Sequence, residues 1–165
     1  MAKEQSFDVV STVDMQEVDN AIQQAMKELT QRYDLKDTGS TITLDRAAST
    51  ITLAAPSDFV LGQVKDIVST KLVRRTIDLK AVAWGKIEAA TGGSSRTVGT
   101  IVNGIDAEIA RKINKDVRDQ KYKVKVQIEG DKVRVFSASR DDLQLVITFL
   151  KSQDYGIPLQ FVNYR

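Results

Sequence analysis

The stretch from Tyr122 to Leu150, YKVKVQIEGDKVRVFSASRDDLQLVITFL, leaves a chain little choice of architecture. Lys123, Lys125 and Gln127 alternate with Val124, Val126 and Ile128, and a period of two places the long polar side chains on one sheet face and the branched apolar ones on the other. Gly130-Asp131 then predicts a two-residue hairpin with Gly130 at positive φ. Val133 and Val135 continue the apolar face, and Lys132, Arg134 and Phe136 continue the polar one. Ser137 to Asp142 supplies hydroxyl and carboxylate caps for a helix in which Leu143, Val146, Ile147 and Leu150 share a stripe. That helix covers the apolar face of the hairpin. Lys123, Lys125, Gln127, Arg134 and Phe136 are left on a face it does not cover.

The chain as a whole states one larger order twice, with this stretch inside the second copy. Ser6–Val13 reads as a strand, and Asp14 caps a helix with Val18, Ile22, Ala25, Met26 and Leu29 on one side. Ser40–Leu44 and Thr50–Ala54 form a hairpin, Pro56-Ser57-Asp58 starts a second helix with Val64, Ile67, Val68 and Leu72 inward, and Leu79–Ala90 is extended. Thr97–Val102 opens the second round, a helix follows with Ile109, Ile113 and Val117 inward, and Pro158–Tyr164 closes it as a strand. Each half is β-α-β-β-α-β, so the expected fold class is α+β: two ferredoxin-like domains, each a four-stranded antiparallel sheet with two helices on one face. The expected boundaries are 14–90 and 96–165. Thr91-Gly92-Gly93-Ser94-Ser95 reads as the linker, because it lacks the order of a phosphate-binding loop.

The composition excludes several chemistries. With no histidine and no cysteine, the chain lacks the commonest general base, the commonest zinc ligands, and any disulfide framework. Its carboxylates are scattered over predicted helices and turns, so no catalytic residues, metal ligands or cofactor are assigned and the chain is read as a non-enzyme. No apolar run reaches the roughly 18 residues of a membrane span, and the N-terminus lacks a signal-peptide layout, which makes the cytoplasm the expected compartment. Charge is uneven: residues 1–90 hold 11 basic against 13 acidic side chains, and residues 91–165 hold 13 against 9. The basic excess lies in the half that contains the polar hairpin face.

On that face Arg134 offers a fork for phosphate or a guanine edge, Lys123 and Lys125 offer point charges, Gln127 an amide, and Phe136 a stacking surface. Arg140, at the start of the following helix, joins this candidate ligand set. Equally, exposed sheet faces carry such residues with no ligand. The closely spaced aromatics of an RNA-recognition motif are absent, so RNA contact would rest on phosphates. Arg111, Lys115 and Arg118 form a basic stripe on one helix, a solvated face or a phosphate contact. Trp84 reads as a stacking residue or a domain-interface anchor, and as a lone large aromatic it is more often the latter.

The segments SFDVVSTVD, EVDNA, KLVRRTI, VKVQIEGDKVRVFSASRDDLQLVI and PLQFVNYR, in that order over nearly the whole chain, resemble the bacterial YajQ family of nucleotide-binding proteins. The resemblance implies two ferredoxin-like domains whose N-terminal strands are exchanged, with strand 6–13 completing the second domain. It implies binding of a nucleotide, cyclic di-GMP or RNA without established catalysis. It also implies that Arg74 and Arg75, together with Arg111, Lys115 and Arg118, are candidates to line a groove. The leading expectation is a cytoplasmic nucleotide-binding protein; the alternative is an RNA-associated or protein-interaction module.

Overall fold

A computed structural model describes residues 3–165. Their backbone forms two antiparallel sheets and four α-helices. The strands are β1 (Gln5–Val10), β2 (Thr41–Asp45), β3 (Thr50–Ala55), β4 (Val82–Trp84), β5 (Glu88–Ala89), β6 (Ser95–Ile101), β7 (Lys125–Glu129), β8 (Lys132–Ser137) and β9 (Gln160–Val162). The helices are α1 (Met15–Gln31), α2 (Asp58–Arg74), α3 (Ala107–Asp119) and α4 (Arg140–Lys151).

Every helix starts where a short polar side chain can accept a hydrogen bond from an otherwise unpaired N–H. The caps are Asp14 on the amides of Gln16 and Glu17, Ser57 on Val60, Asp106 on Ile109, and Ser139 on Asp142. Gly130 turns the β7–β8 hairpin at φ 59°, a conformation that a side chain would disfavour.

One sheet runs β7-β8-β1-β9 and the other β2-β3-β6-β4, with the short β5 also paired to β6. The chain divides accordingly into two compact units. The segment up to Thr12 belongs with Asn103–Arg165, and Val13–Val102 forms the other unit. Periodicity alone opens the second round with β6; β6 hydrogen-bonds along its length to β3 and at its end to β4. β1 hydrogen-bonds to β8 and β9. Strand pairing is a long-range choice, and local periodicity carries no record of it.

The segment expected as the linker also has a different role. Thr91–Gly93 forms a tight turn between β5 and β6, with Gly92 and Gly93 at φ 76° and 79° and the Ala90 N–H donating to the Ser94 carbonyl. It reverses the chain within one sheet, and the change of unit falls at Val102–Asn103.

In the Val13–Val102 unit, the core is a single cluster in which Val18, Ala21, Ile22, Ala25 and Leu29 of α1 and Leu61, Val64, Ile67, Val68 and Leu72 of α2 pack with Ile42, Ile51 and Leu53 of the sheet. Met26, expected on the inward stripe, is exposed, and Ala21 takes its place. In the other unit, Ala110, Ile113 and Val117 of α3 and Leu143, Val146, Ile147 and Leu150 of α4 are buried, as are Phe7, Val9, Val133 and Val135 of the sheet. Each sheet thus has one face closed by two helices and one face without them.

Candidate functional site

The helix-free face of the β7-β8-β1-β9 sheet carries the polar residues singled out in the sequence. Register places Lys125 opposite Phe136 and Phe136 opposite Ser6; the next row runs Gln127, Arg134, Asp8, Val162. Lys125 and Gln127 are exposed, and Phe136 is half-buried between its neighbours. Lys123 lies just before β7. Its side chain is exposed and its carbonyl accepts the Ser137 hydroxyl at 2.9 Å.

Asp8 sits in the middle of this face and is 1% exposed. A buried carboxylate needs partners, and it has several. Arg134 donates from Nε to Oδ1 at 2.7 Å and from Nη2 to Oδ2 at 3.4 Å, Asn163 donates from Nδ2 to Oδ2 at 2.8 Å, and Lys132 Nζ lies 3.7 Å away. The hydrogen-bonded Arg134 guanidinium is the main reason the Asp8 carboxyl is held below the usual aspartate range, outweighing the opposing effect of burial. Reciprocally, Asp8 raises Arg134 above its ordinary value. The remaining Arg134 nitrogen, Nη1, is 3.4 Å from Glu129 Oε2. The fork expected to be available for phosphate is therefore already engaged. Arg134 serves here to neutralise Asp8 and to tie β8 to β1.

Asn163 has a second effect. β9 pairs with β1 so that Val162 faces Asp8, yet the Arg165 backbone exchanges two hydrogen bonds with Ser6, at 3.1 and 3.0 Å. One extra residue is therefore inserted, a β-bulge, and Asn163 sits in it at φ 56° with its amide anchored on Asp8. The bulge re-aims the following Tyr164 so that its ring lies 6.2 Å from that of Phe7, on the helix-covered side.

The other expected residues lie elsewhere. Arg111, Lys115 and Arg118 are exposed on α3, which packs on the opposite side of the sheet from Lys125 and Gln127. They cannot share a ligand with that face. Beside them, Tyr155 donates its hydroxyl to Asp116 at 2.8 Å, and burial together with that carboxylate pushes the phenol's pKa up. Arg140 is the first residue of α4. In the other unit, Arg74 ends α2 beside a depression of about 360 Å³ lined by Ser69, Thr70, Val73 and Leu79. Arg75 caps the same helix and reaches Glu17 at 3.5 Å. Both are cations at a helix C-terminus, where the dipole favours them.

Trp84, expected as an interface anchor, packs within its own unit. It lies over Gly99, where a Cβ would come within 2.8 Å of its ring, and Lys65 Nζ lies 5.4 Å from its centroid.

Sequence reasoning did not single out Asp8. A signal was present: an acid inside the apolar run SFDVV is unusual for a strand, and a carboxylate there implies a cation across the ladder.

Two antiparallel sheets, each backed by two helices on one face, define an α+β protein of the paired ferredoxin-like kind. The chain belongs to the family described as "Nucleotide-binding protein YajQ-like", whose model matches residues 5–165. It is 48% identical over 165 residues to a nucleotide-binding protein of Desulforamulus reducens, covering all of this chain and 99% of that one. It is 49% identical to a nucleotide-binding protein of Alkaliphilus oremlandii and 48% identical to one of Synechococcus elongatus, each match covering both chains fully. Among the described residues, no helix is long and apolar enough to cross a membrane.

Proposed function

We propose that the protein is a non-catalytic, cytoplasmic binder of a phosphate-bearing nucleotide, with cyclic di-GMP among the ligands to be tried first. The observation that carries this reading is the row of Lys125 beside Phe136, with Gln127 exposed in the next row, on a sheet face that α3 and α4 leave open. An ammonium for phosphate, a ring for stacking and an amide for a base edge are the chemistry a nucleotide needs. The names of the relatives point the same way. Arg134 acts in this reading as a positioning residue, holding Asp8 and the strand register beneath the ligand. The β7–β8 hairpin with β1 beside it and the β2–β3 hairpin with β6 beside it are read as a duplicated ferredoxin-like domain whose first strands have changed places.

Calorimetry with cyclic di-GMP, GTP, ATP and tRNA tests the reading on wild type, Lys125→Glu and Phe136→Ala. Loss of the stacking ring is expected to cost about 1–3 kcal/mol of binding. Absence of saturable binding to every ligand overturns it. RNA association is the second reading, favoured by the 13 basic against 9 acidic residues of positions 91–165. Affinity that falls steeply with salt selects RNA, because many phosphate contacts release many counterions; a shallow slope selects one small anion.

A further inference from the structure

Beside α4, on the helix-covered side of the same unit, lies a cavity of about 410 Å³. One wall is a single face of the helix, with Arg140, Leu143, Gln144 and Ile147 at the i, i+3, i+4, i+7 spacing of one stripe. The opposite wall is Gln5 and Ser6 at the start of β1 together with Tyr164 and Arg165, which the Asn163 bulge and the two Ser6–Arg165 backbone hydrogen bonds hold in place. The volume is within the range of small-molecule sites, roughly 300–1,000 Å³.

The lining has a definite chemistry. Leu143 and Ile147 form an apolar floor. Tyr164 is 64% exposed although its ring packs against Phe7, so an aromatic surface is held in a fixed place with one side free. Arg140 and Arg165 both line the cavity, no acidic side chain does, and neither arginine has an ion-pair partner among the described residues. Arg140 also opens a 12-residue helix, whose N-terminal amides add positive potential. Asp141 and Asp142 in that first turn oppose it, but neither lines the cavity. Gln5 and Gln144 bring amides that both donate and accept.

From this geometry we infer a second binding site, separate from the open sheet face, for one small planar anion of the nucleoside monophosphate class. The base stacks on Tyr164 with its edge met by Gln5 and Gln144, and the phosphate lies between the Arg140 and Arg165 guanidiniums. The inference rests on the nucleotide-binding reading but names a different place for a ligand.

Titration of isotope-labelled protein with GMP, AMP and inorganic phosphate, followed by amide chemical shifts, tests it. GMP or AMP is expected to shift the amides of Ser6, Gln144 and Tyr164. Arg140→Gln and Tyr164→Ala are each expected to weaken binding at least tenfold, while Thr52→Val, in the other unit, leaves it within twofold. Shifts confined to Lys125, Gln127 and Phe136, with affinity unchanged in Arg140→Gln, overturn the cavity site and leave the nucleotide reading standing. Inorganic phosphate binding as tightly as GMP overturns the aromatic half of the inference. No shift with GMP or AMP overturns the cavity site alone, because the proposed function stands or falls on the calorimetry with cyclic di-GMP, GTP, ATP and tRNA. Circular dichroism of each variant confirms that a loss of binding is not a loss of fold.

Discussion

β1 and β6 occupy the same place in their two sheets, second from one edge and hydrogen-bonded on both sides, and they solve that position in opposite ways. β1 sends Phe7 and Val9, both fully buried, into its core. β6 sends Ser95, Thr97 and Gly99, with Ile101 at its end as its one large apolar side chain in the core. Its polar groups are satisfied by neighbouring elements, the Ser95 hydroxyl by the Asp58 carboxylate and the Thr97 hydroxyl by the Gly85 carbonyl at 3.1 Å. The large ring in that core comes instead from the neighbouring strand, as Trp84 over Gly99. The outer faces differ as well. β6 and its neighbours present Thr43, Thr52, Val98 and Thr100, whereas β1 presents Asp8 with its ring of donors. One architecture thus tolerates a ring from the central strand or from its neighbour. Only one of the two sheets has a buried charge to keep neutral.

This comparison can be broken experimentally, and the largest effect belongs to Phe7. Phe7→Ala removes a fully buried ring that contacts both Phe161 and Tyr164, and a loss of about 3–5 kcal/mol in urea unfolding is expected. A loss below about 1 kcal/mol would show that the two cores do not differ as described. Next is Asp8→Ala, expected to cost on the order of 2–4 kcal/mol because it leaves Arg134, Lys132 and Asn163 facing a vacated site. Its counterpart Thr52→Val, on the other outer face, should stay within about 0.5 kcal/mol.

Gly99→Ala follows, at about 1–3 kcal/mol, since the new methyl would lie 2.7 Å from Val82 Cγ1 and 2.8 Å from the Trp84 ring. Trp84→Leu in the same chain should return part of that loss if the ring is what the methyl meets. The smallest effect is in pH dependence. The folded Asp8 pKa lies below the unfolded one, so the unfolded chain takes up the proton first as pH falls. Asp8's contribution is complete above the ordinary aspartate range, about pH 4, and is lost as pH falls through its lower folded value. Asp8→Asn should therefore flatten the acid limb of the stability–pH curve between about pH 5 and pH 2.

Much of the local structure of both units was legible in the chain. The β7–β8 turn at Gly130, the caps at Asp14 and Ser57, and the α4 stripe stand where periodicity and capping chemistry place them. The candidate site was legible only as a list of residue types. Lys125 and Phe136 do come together across a ladder, but Arg134 is claimed by Asp8, 126 residues away in the chain, and Arg111, Lys115 and Arg118 fall on the opposite side of the sheet. Asp8 was not singled out within the strand 6–13, and Asn163 and Tyr164 read as the end of a plain strand. The one-residue bulge that turns Tyr164 toward Phe7 exists only because β9 meets β1.

What the sequence determines by itself is local: which segments are strands and helices, which side of each is apolar, and where each starts. These follow from side-chain period and from the hydrogen bonds a residue makes within a few positions of itself. It also determines, through the order of segments over nearly its whole length, the family to which the chain belongs. Only the tertiary structure decides which strand lies beside which. β1 and β6 have similar intrinsic preferences, and the free energy that sends each to its sheet comes from side chains far away in the chain. For β1, the partner of its buried acid is Arg134 on the neighbouring strand, and the polar face of the β7–β8 hairpin is organised around that pair.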